Sequence, residues 1–430
     1  MMTATPETAP AAATSEISRD FAAVSSVYGT DIADPHAVYR EYRKTRPVMV
    51  GDILAEWNVP SQADYANLGR QVFTLFRYDD VLAVLRDPAT FTSTLLQEGL
   101  GQFLGGFLLT GMDDATHKVA RKLLAPAFSP RVIAGWKTLL TPVVRDAVAR
   151  LEPRGRAELM EDLLLPLPVR LIYEIIGFPK DEARTQEFAA RGMRILVGPQ
   201  RDPEKAKASM AAAFAAAQEL YDDTLEVVRQ RRAEGSVGED LIGYLLRAEA
   251  DGERLDDAHI TELIRQMLPA AAETTTRSFG SMMVALLEQP ALLERIRNDR
   301  TLVPKAINEG MRWETASQFL ARQATVDVEF HGVKIPAGAA LSLCSGSANR
   351  DEAVFDNPDV FDIDRPQKVN VGFGAGTHMC LGMPVAKTEM EAMLNALLDL
   401  PNLRLDPDQP PPVIVGAQLR GPRALHVVWG

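Results

Sequence analysis

The chain has 430 residues, 46% of them hydrophobic and 24% charged, a composition able to bury a large core. Its formal net charge of −12 argues against nucleic acid, which is bound through many Lys and Arg contacts to phosphate, and against anionic membrane surfaces. The two cysteines, Cys344 and Cys380, exclude a disulfide framework and a four-thiolate zinc site, and they fit a reducing compartment.

Residues 1–20 are rich in Ala, Pro and Thr and lack the basic start and leucine-rich centre of a secretory signal, so a flexible tail is expected there. Residues 21–430 contain no repeat and no dividing linker, which predicts one domain. PHAVYREYRKT predicts a helix, QVFTLFRY a strand, and DDVLAVLRDP a short helix ended by Pro88. From Thr92 to Gly111 runs an apolar stretch too broken by glycine for a stable helix. Helical patterning follows near 114–152, 158–176, 181–195 and 204–233, the last of these rich in alanine. Asp256 and Asp257 mark the start of a further long helix, because aspartate oxygens accept from the free N–H groups of a first turn. Strand signals return in TVDVEFHGVKIPAG and VIVGAQLRGPRALHVVW, giving a mainly α protein with small β-sheets. No stretch approaches the roughly 18 apolar residues of a membrane-spanning helix, so a cytoplasmic protein is expected.

The segment Phe373-Gly-Ala-Gly-Thr-His-Met-Cys-Leu-Gly382 carries the most information. Gly372, Gly374, Gly376 and Gly382 surround Cys380, which implies a tight loop lying close to another body. The run PVAKTEMEAMLNALL then has helical periodicity, so Cys380 precedes a helix N-terminus, where free amides favour a thiolate. Cys344, in AALSLCSG, reads instead as a small buried hydrophobe.

This loop resembles the haem-binding loop of the cytochrome P-450 superfamily, Phe-Gly-x-Gly-x-x-x-Cys-x-Gly, at every fixed position: Phe373, Gly374, Gly376, Cys380 and Gly382. The resemblance makes Cys380 the metal ligand and sets His378 near a haem propionate. It implies the family's triangular prism, with haem between the long central helix and the cysteine loop. His117 and Arg121, one helical turn apart, match the family's His-x-x-x-Arg, and Arg322 matches an arginine before a small sheet; all three would face haem carboxylates. Glu309 and Arg312 match a buried Glu-x-x-Arg that pairs with a later arginine, for which Arg365 is the candidate, in a structural role. In Ala270-Ala-Ala-Glu-Thr-Thr275 the small residues, Ala270 above all, would admit a flat macrocycle. Thr274 can bond the carbonyl four residues back, at Ala270. Thr274 and Glu273 are the expected catalytic pair, with Glu273 exchanging protons with solvent. The family often has glycine where Ala271 stands, and Pro269 is unusual; it should kink the helix.

The resemblance implies insertion of one atom of O2 into a C–H or C=C bond of a small to medium apolar substrate: a terpenoid, fatty acid, steroid or aromatic compound. The implied cofactor is haem b, iron protoporphyrin IX. No flavin or nicotinamide fingerprint is present, so NAD(P)H would act only through a ferredoxin or flavodoxin with its reductase. Lys118, Lys122, Arg131 and Lys387 are candidates for a basic docking face, and the protein is expected to be a monomer. Phe103, Leu104, Phe107, Gln318, Phe319 and Gln418 fall in regions that line the family's substrate pocket, as do Leu108, Leu109 and Ala417. Two other readings stay open: a haem-thiolate peroxygenase or rearrangement enzyme, and a non-catalytic haem sensor.

Overall fold

The computed structural model describes residues 16–29, 31–65, 69–235, 238–250 and 252–430. Its principal helices are α1 (Glu16–Val27), α2 (His36–Thr45), α3 (Tyr78–Arg86), α4 (Asp114–Leu124), α5 (Pro130–Leu151), α6 (Pro166–Ile176), α7 (Glu182–Val197), α8 (Pro203–Ala233), α9 (Asp257–Leu287), α10 (Val303–Trp313) and α11 (Met383–Leu398). Of the tail expected over 1–20, the first fifteen residues lie outside the described ones, and residues 16–20 belong to α1. Phe21 and Val24 of this helix are buried.

Caps fix the helix starts. Asp181 accepts from the amides of Ala183 and Arg184 ahead of α7, Asp202 from Glu204 ahead of α8, and Asp256 from His259 ahead of α9. Helix α9 is the hub, packing against α6, α7, α8, α10 and α11. It runs through Pro269 without interruption. Gly192 of α7 lies beside that proline, where a Cβ would come within 3.6 Å of its backbone. The glycine-broken stretch forms two short helices, Leu95–Gly99 and Gly101–Leu104, stopped by Gly105 at φ +93°.

Five strands form the main sheet: β1 (Val48–Val50), β2 (Val72–Leu75), β3 (Phe91–Thr92), β4 (Phe319–Ala324) and β5 (Ala340–Cys344). Their spatial order is β1-β2-β5-β4-β3. The β2–β5 pair is parallel, with Ser342 beside Thr74; the others are antiparallel, with Leu341 beside Arg322. Every residue of β5 is buried, so it reads as an apolar run with no alternation, and Cys344 is fully enclosed within it. A smaller sheet joins Arg156–Glu158, His426–Val428 and Arg404–Leu405, and a two-stranded ribbon joins Ile414–Val415 to Gly421–Pro422. The main hydrophobic core lies among the helices, and a second lies against the sheet.

Candidate functional site

The loop before α11 is shaped by the chain's own backbone. Gly374 and Gly376 both adopt φ +70°, a left-handed conformation that strains other residues. A Cβ on Gly376 would also lie 2.2 Å from the Leu85 carbonyl at the end of α3. The Cys380 amide donates to Phe373 O at 2.9 Å, closing the turn. Phe373 packs on the main core, with Lys387 Nζ 5.8 Å from its ring centre.

Cys380 is accessible, yet enough protein surrounds its sulfur for burial to push the thiol up, against the pull of the Gly382 and Met383 amides and the Arg121 charge. Accessibility and burial agree if the sulfur looks into a recess. Among the described residues no cluster of His, Cys, Asp and Glu could hold a bare metal ion. One thiolate suffices only for a metal whose remaining ligands arrive with it, as in a metal-bearing macrocycle.

Beside the loop lies a set of nitrogen donors. Arg121 Nη2 donates to Met379 O at 2.7 Å. The His117 and His378 rings lie 4.2 Å apart, and His378 Nε2 is 3.0 Å from Asp113 Oδ1. His117 Nε2 is buried and has no hydrogen-bond partner among the described residues, and burial, with the His378 and Arg121 charges, lowers this imidazole to about 4. Arg322 is buried and, among the described residues, its side chain bonds only a carbonyl of its own strand, Ala321 O at 2.7 Å; burial lowers its guanidinium to about 10. An orphaned imidazole nitrogen and a buried guanidinium are the donors that a molecule bearing carboxylates would complete, so the set fits haem propionates. Sequence reasoning missed Asp113. Burial works against its charge, but His378, Thr92 and the Ser93 amide together bring its carboxyl below the usual range.

On α9, Ala270 is exposed and Ala271 and Thr274 are half-buried, although the helix is packed on many sides. Thr274 Oγ donates to Ala270 O at 2.7 Å. Glu273, expected to exchange protons with solvent, is enclosed in the protein. It is 1% exposed and held by Arg277, whose Nε lies 2.5 Å from Glu273 Oε2. The i,i+4 spacing of the two was visible in the sequence; their burial was not.

Glu309, Arg312 and Arg365 come together. Arg312 grips Glu309 through two bonds of 2.6 and 2.8 Å, and Arg365 Nε stands 3.4 Å away. Arg312 also donates to the carbonyls of Asn349, Pro358 and Val360, tying the segment before the cysteine loop to α10.

The pocket candidates scatter. Phe103 is buried and stacks on Phe214 at 4.6 Å, and Leu104 is core. Phe107 is half-buried against the His259 ring, its backbone held by Glu262 and Gln266 of α9. Phe319 packs on Tyr39 in a separate core cluster. Gln318 and Gln418, expected along the pocket, are buried and have partners within the protein. Gln318 donates to Glu314 Oε1 at 2.9 Å and Gln418 to Phe319 O at 3.3 Å, both fully buried. Glu314 also meets His36, Arg350 and Arg420. Burial opposes its charge, but Arg420, His36 and Arg350 hold it well below the usual carboxylate range. These partners come from distant parts of the chain, so no local pattern reveals them.

A family model described as cytochrome P-450 matches residues 190–423. Cyclomarin C epoxidase CymV of Salinispora arenicola is 33% identical over 334 residues, covering 76% of this chain and 83% of that protein. C-19 steroid 1alpha-hydroxylase of Sorangium cellulosum is 31% identical over 363 residues, covering 82% and 89%. Among solved structures, CYP109E1 of Bacillus megaterium in complex with corticosterone superposes with TM-score 0.79 at 28% identity, covering 92% of this chain and 98% of that one.

Proposed function

The chain belongs to the cytochrome P-450 family of haem-iron monooxygenases, and from that membership we propose that it oxygenates a small to medium apolar compound at a C–H or C=C bond. Cys380 is the sulfur ligand in this reading. Haem b, when bound, supplies the oxygen-activating chemistry with O2 as co-substrate. The observation that carries the reading is Cys380 in its glycine turn, an exposed residue whose sulfur is met by the amides that begin α11.

His117, Arg121, Arg322 and His378 would hold the two carboxylates of the haem, while Phe373 and Gly374 would shape the sulfur side. Ala270 leaves room for a flat ring against the α9 backbone. Thr274 and Glu273 form the proton path: the Thr274 hydroxyl turns from the Ala270 carbonyl to hold water, and Glu273 takes a proton from solvent water and passes it on. Phe107 borders the substrate, with Phe103 and Leu104 supporting it from behind. Terpenoids, fatty acids, steroids and aromatic compounds all suit such a wall. Steroids come first, because CYP109E1 binds corticosterone and testosterone and the Sorangium relative is a steroid hydroxylase.

Electrons come from a ferredoxin or flavodoxin and its reductase, so NAD(P)H acts indirectly. Lys118, Lys122 and Arg131 are exposed and Lys387 is half-buried, giving an acidic donor a local basic face. Among the described residues no helix is long and apolar enough to cross a membrane. A cytoplasmic monomer is our reading.

Reduced protein given carbon monoxide should show a strongly red-shifted Soret band, and Cys380→Ala should abolish it. An unchanged band in that variant refutes the ligand assignment. A spin-state screen against lipophilic compounds, with products identified by mass spectrometry, separates an enzyme from a haem carrier. The burial of Glu273 against Arg277 favours one second reading, peroxide-driven oxygenation. Faster turnover with hydrogen peroxide than with O2 and a reductase would decide for it.

A further inference from the structure

From Gly105 to Leu108 the backbone forms neither helix nor strand, so its polar groups need partners from elsewhere. Helix α9 supplies them. The Phe107 amide donates to Glu262 Oε2 at 2.6 Å and the Leu109 amide to Gln266 Oε1 at 3.0 Å. Gln266 Nε2 returns a bond to the Phe107 carbonyl at 3.1 Å. Both backbone polar groups of Phe107 are thus taken by side chains one turn apart on a single helix. Gly105 permits the approach: it stands at φ +93°, and a Cβ there would lie 2.5 Å from Glu262 Cδ. Leu108 and Leu109 are buried, whereas the Phe107 ring is half-buried, its centre 4.5 Å from that of His259.

Glu262 and Gln266 continue at the same spacing to Ala270 and Thr274, so all four share one face of α9. That face is not closed over: Ala270 is exposed and the other three are half-buried. The helical rise places Gln266 about 12 Å along the axis from Thr274. A bridging water could serve each loop group nearly as well in energy. What bonds from one helix to both ends of one residue add is a fixed position.

We propose that Glu262 and Gln266 are positioning residues for the substrate wall: by holding Phe107 at its amide and its carbonyl, they set where its ring stands relative to Thr274, and so which part of an apolar substrate is presented. The proposal rests on the reading of Phe107 as a border of the substrate site. Neither side chain touches substrate; each acts through Phe107.

The test uses haem-loaded protein and two probes that ligate ferric haem through nitrogen, imidazole and phenylimidazole, with affinity read from the shift of the Soret band. In the parent the phenyl group should tighten binding by about tenfold through its contact with the wall, and Phe107→Ala should lose most of that gain. Glu262→Ala and Gln266→Met should lose it too, with imidazole itself bound as before, while Glu262→Gln, which keeps an acceptor at the same reach, should retain it. Hydrogen exchange should quicken about tenfold at the Phe107 amide in Glu262→Ala and at the Leu109 amide in Gln266→Met, and stay near the parent rate in Glu262→Gln. If Phe107→Ala loses the gain while Glu262→Ala and Gln266→Met keep it, the proposal is overturned and the wall reading stands. Equal affinity of the parent for both probes, or a gain kept by Phe107→Ala, removes the wall reading and the proposal with it. Unchanged exchange at both amides also overturns the proposal. Should one of the two variants fail to fold, the other must by itself show both the lost gain and the faster exchange.

Discussion

Glu389 lies on α11 beyond the cysteine loop, 3% exposed, and burial alone pushes its carboxyl up to about 8. In the unfolded chain it titrates near the ordinary 4.5. Below that pH both states hold the proton and the group has no differential effect. As pH rises from 4.5 toward 8, the unfolded chain loses the proton while the folded one keeps it, so unfolding is progressively favoured. The interval corresponds to about 5 kcal/mol of stability present in acid and lost by about pH 8. Glu389→Gln keeps the shape and removes the titration. The variant should match the parent near pH 4.5 and exceed it increasingly above. At ~2 cal/mol/K of unfolding entropy per residue, a chain of this length gains about 5 °C in Tm at pH 8. Circular dichroism melts of both haem-loaded proteins, at one scan rate and stepped pH, provide the check, since other titrations cancel in the difference. Parallel Tm curves across that range would refute the reasoning.

Arg312→Met takes the two-pronged partner from the buried Glu309 carboxylate, leaving it to the more distant Arg365, and should cost about 3 kcal/mol, seen as a fall in Tm; Arg312→Lys should recover little, because an ammonium cannot reproduce the two-pronged grip. Gly376→Ala places a methyl against the Leu85 carbonyl at an unfavourable φ, and should destabilise the protein by at least about 2 kcal/mol with loss of the red-shifted carbon monoxide band. In the haem-free protein His117, lowered to about 4, stays neutral while the unfolded chain protonates near 6.5, so its contribution to stability falls as pH drops between those values. His117→Leu should flatten that part of the pH–stability curve and speed haem loss to an acceptor protein.

What could be read from the chain was whatever local spacing controls. Asp181, Asp202 and Asp256 announce their helices because a cap acts on the next turn. The cysteine loop is legible because four glycines and a following helix lie within one short segment. Features made by distant segments were not legible. Gln318 and Gln418 lie where pocket residues were expected, yet their amides turn into the protein, Gln318 toward Glu314, whose partners stand at positions 36, 350 and 420. Glu273 and Arg277 have the spacing of a solvated surface pair, and segments distant in sequence, α1 at Ser25 and the ribbon at Gly421, help to bury it. Strand β5 was missed because burial on both faces removes the alternation by which strands are recognised.

The parallel pairing of β2 with β5 has a consequence for how the protein is made. Val72 must wait for Ala340, about 270 residues later in synthesis. At ribosomal speeds of roughly 5–20 residues per second that interval is some tens of seconds, during which the β1–β2 hairpin emerges with one bonding edge uncovered. The nascent chain therefore offers a sticky strand for most of its translation, and occupancy of that edge by a chaperone should govern the yield of active protein in the cell.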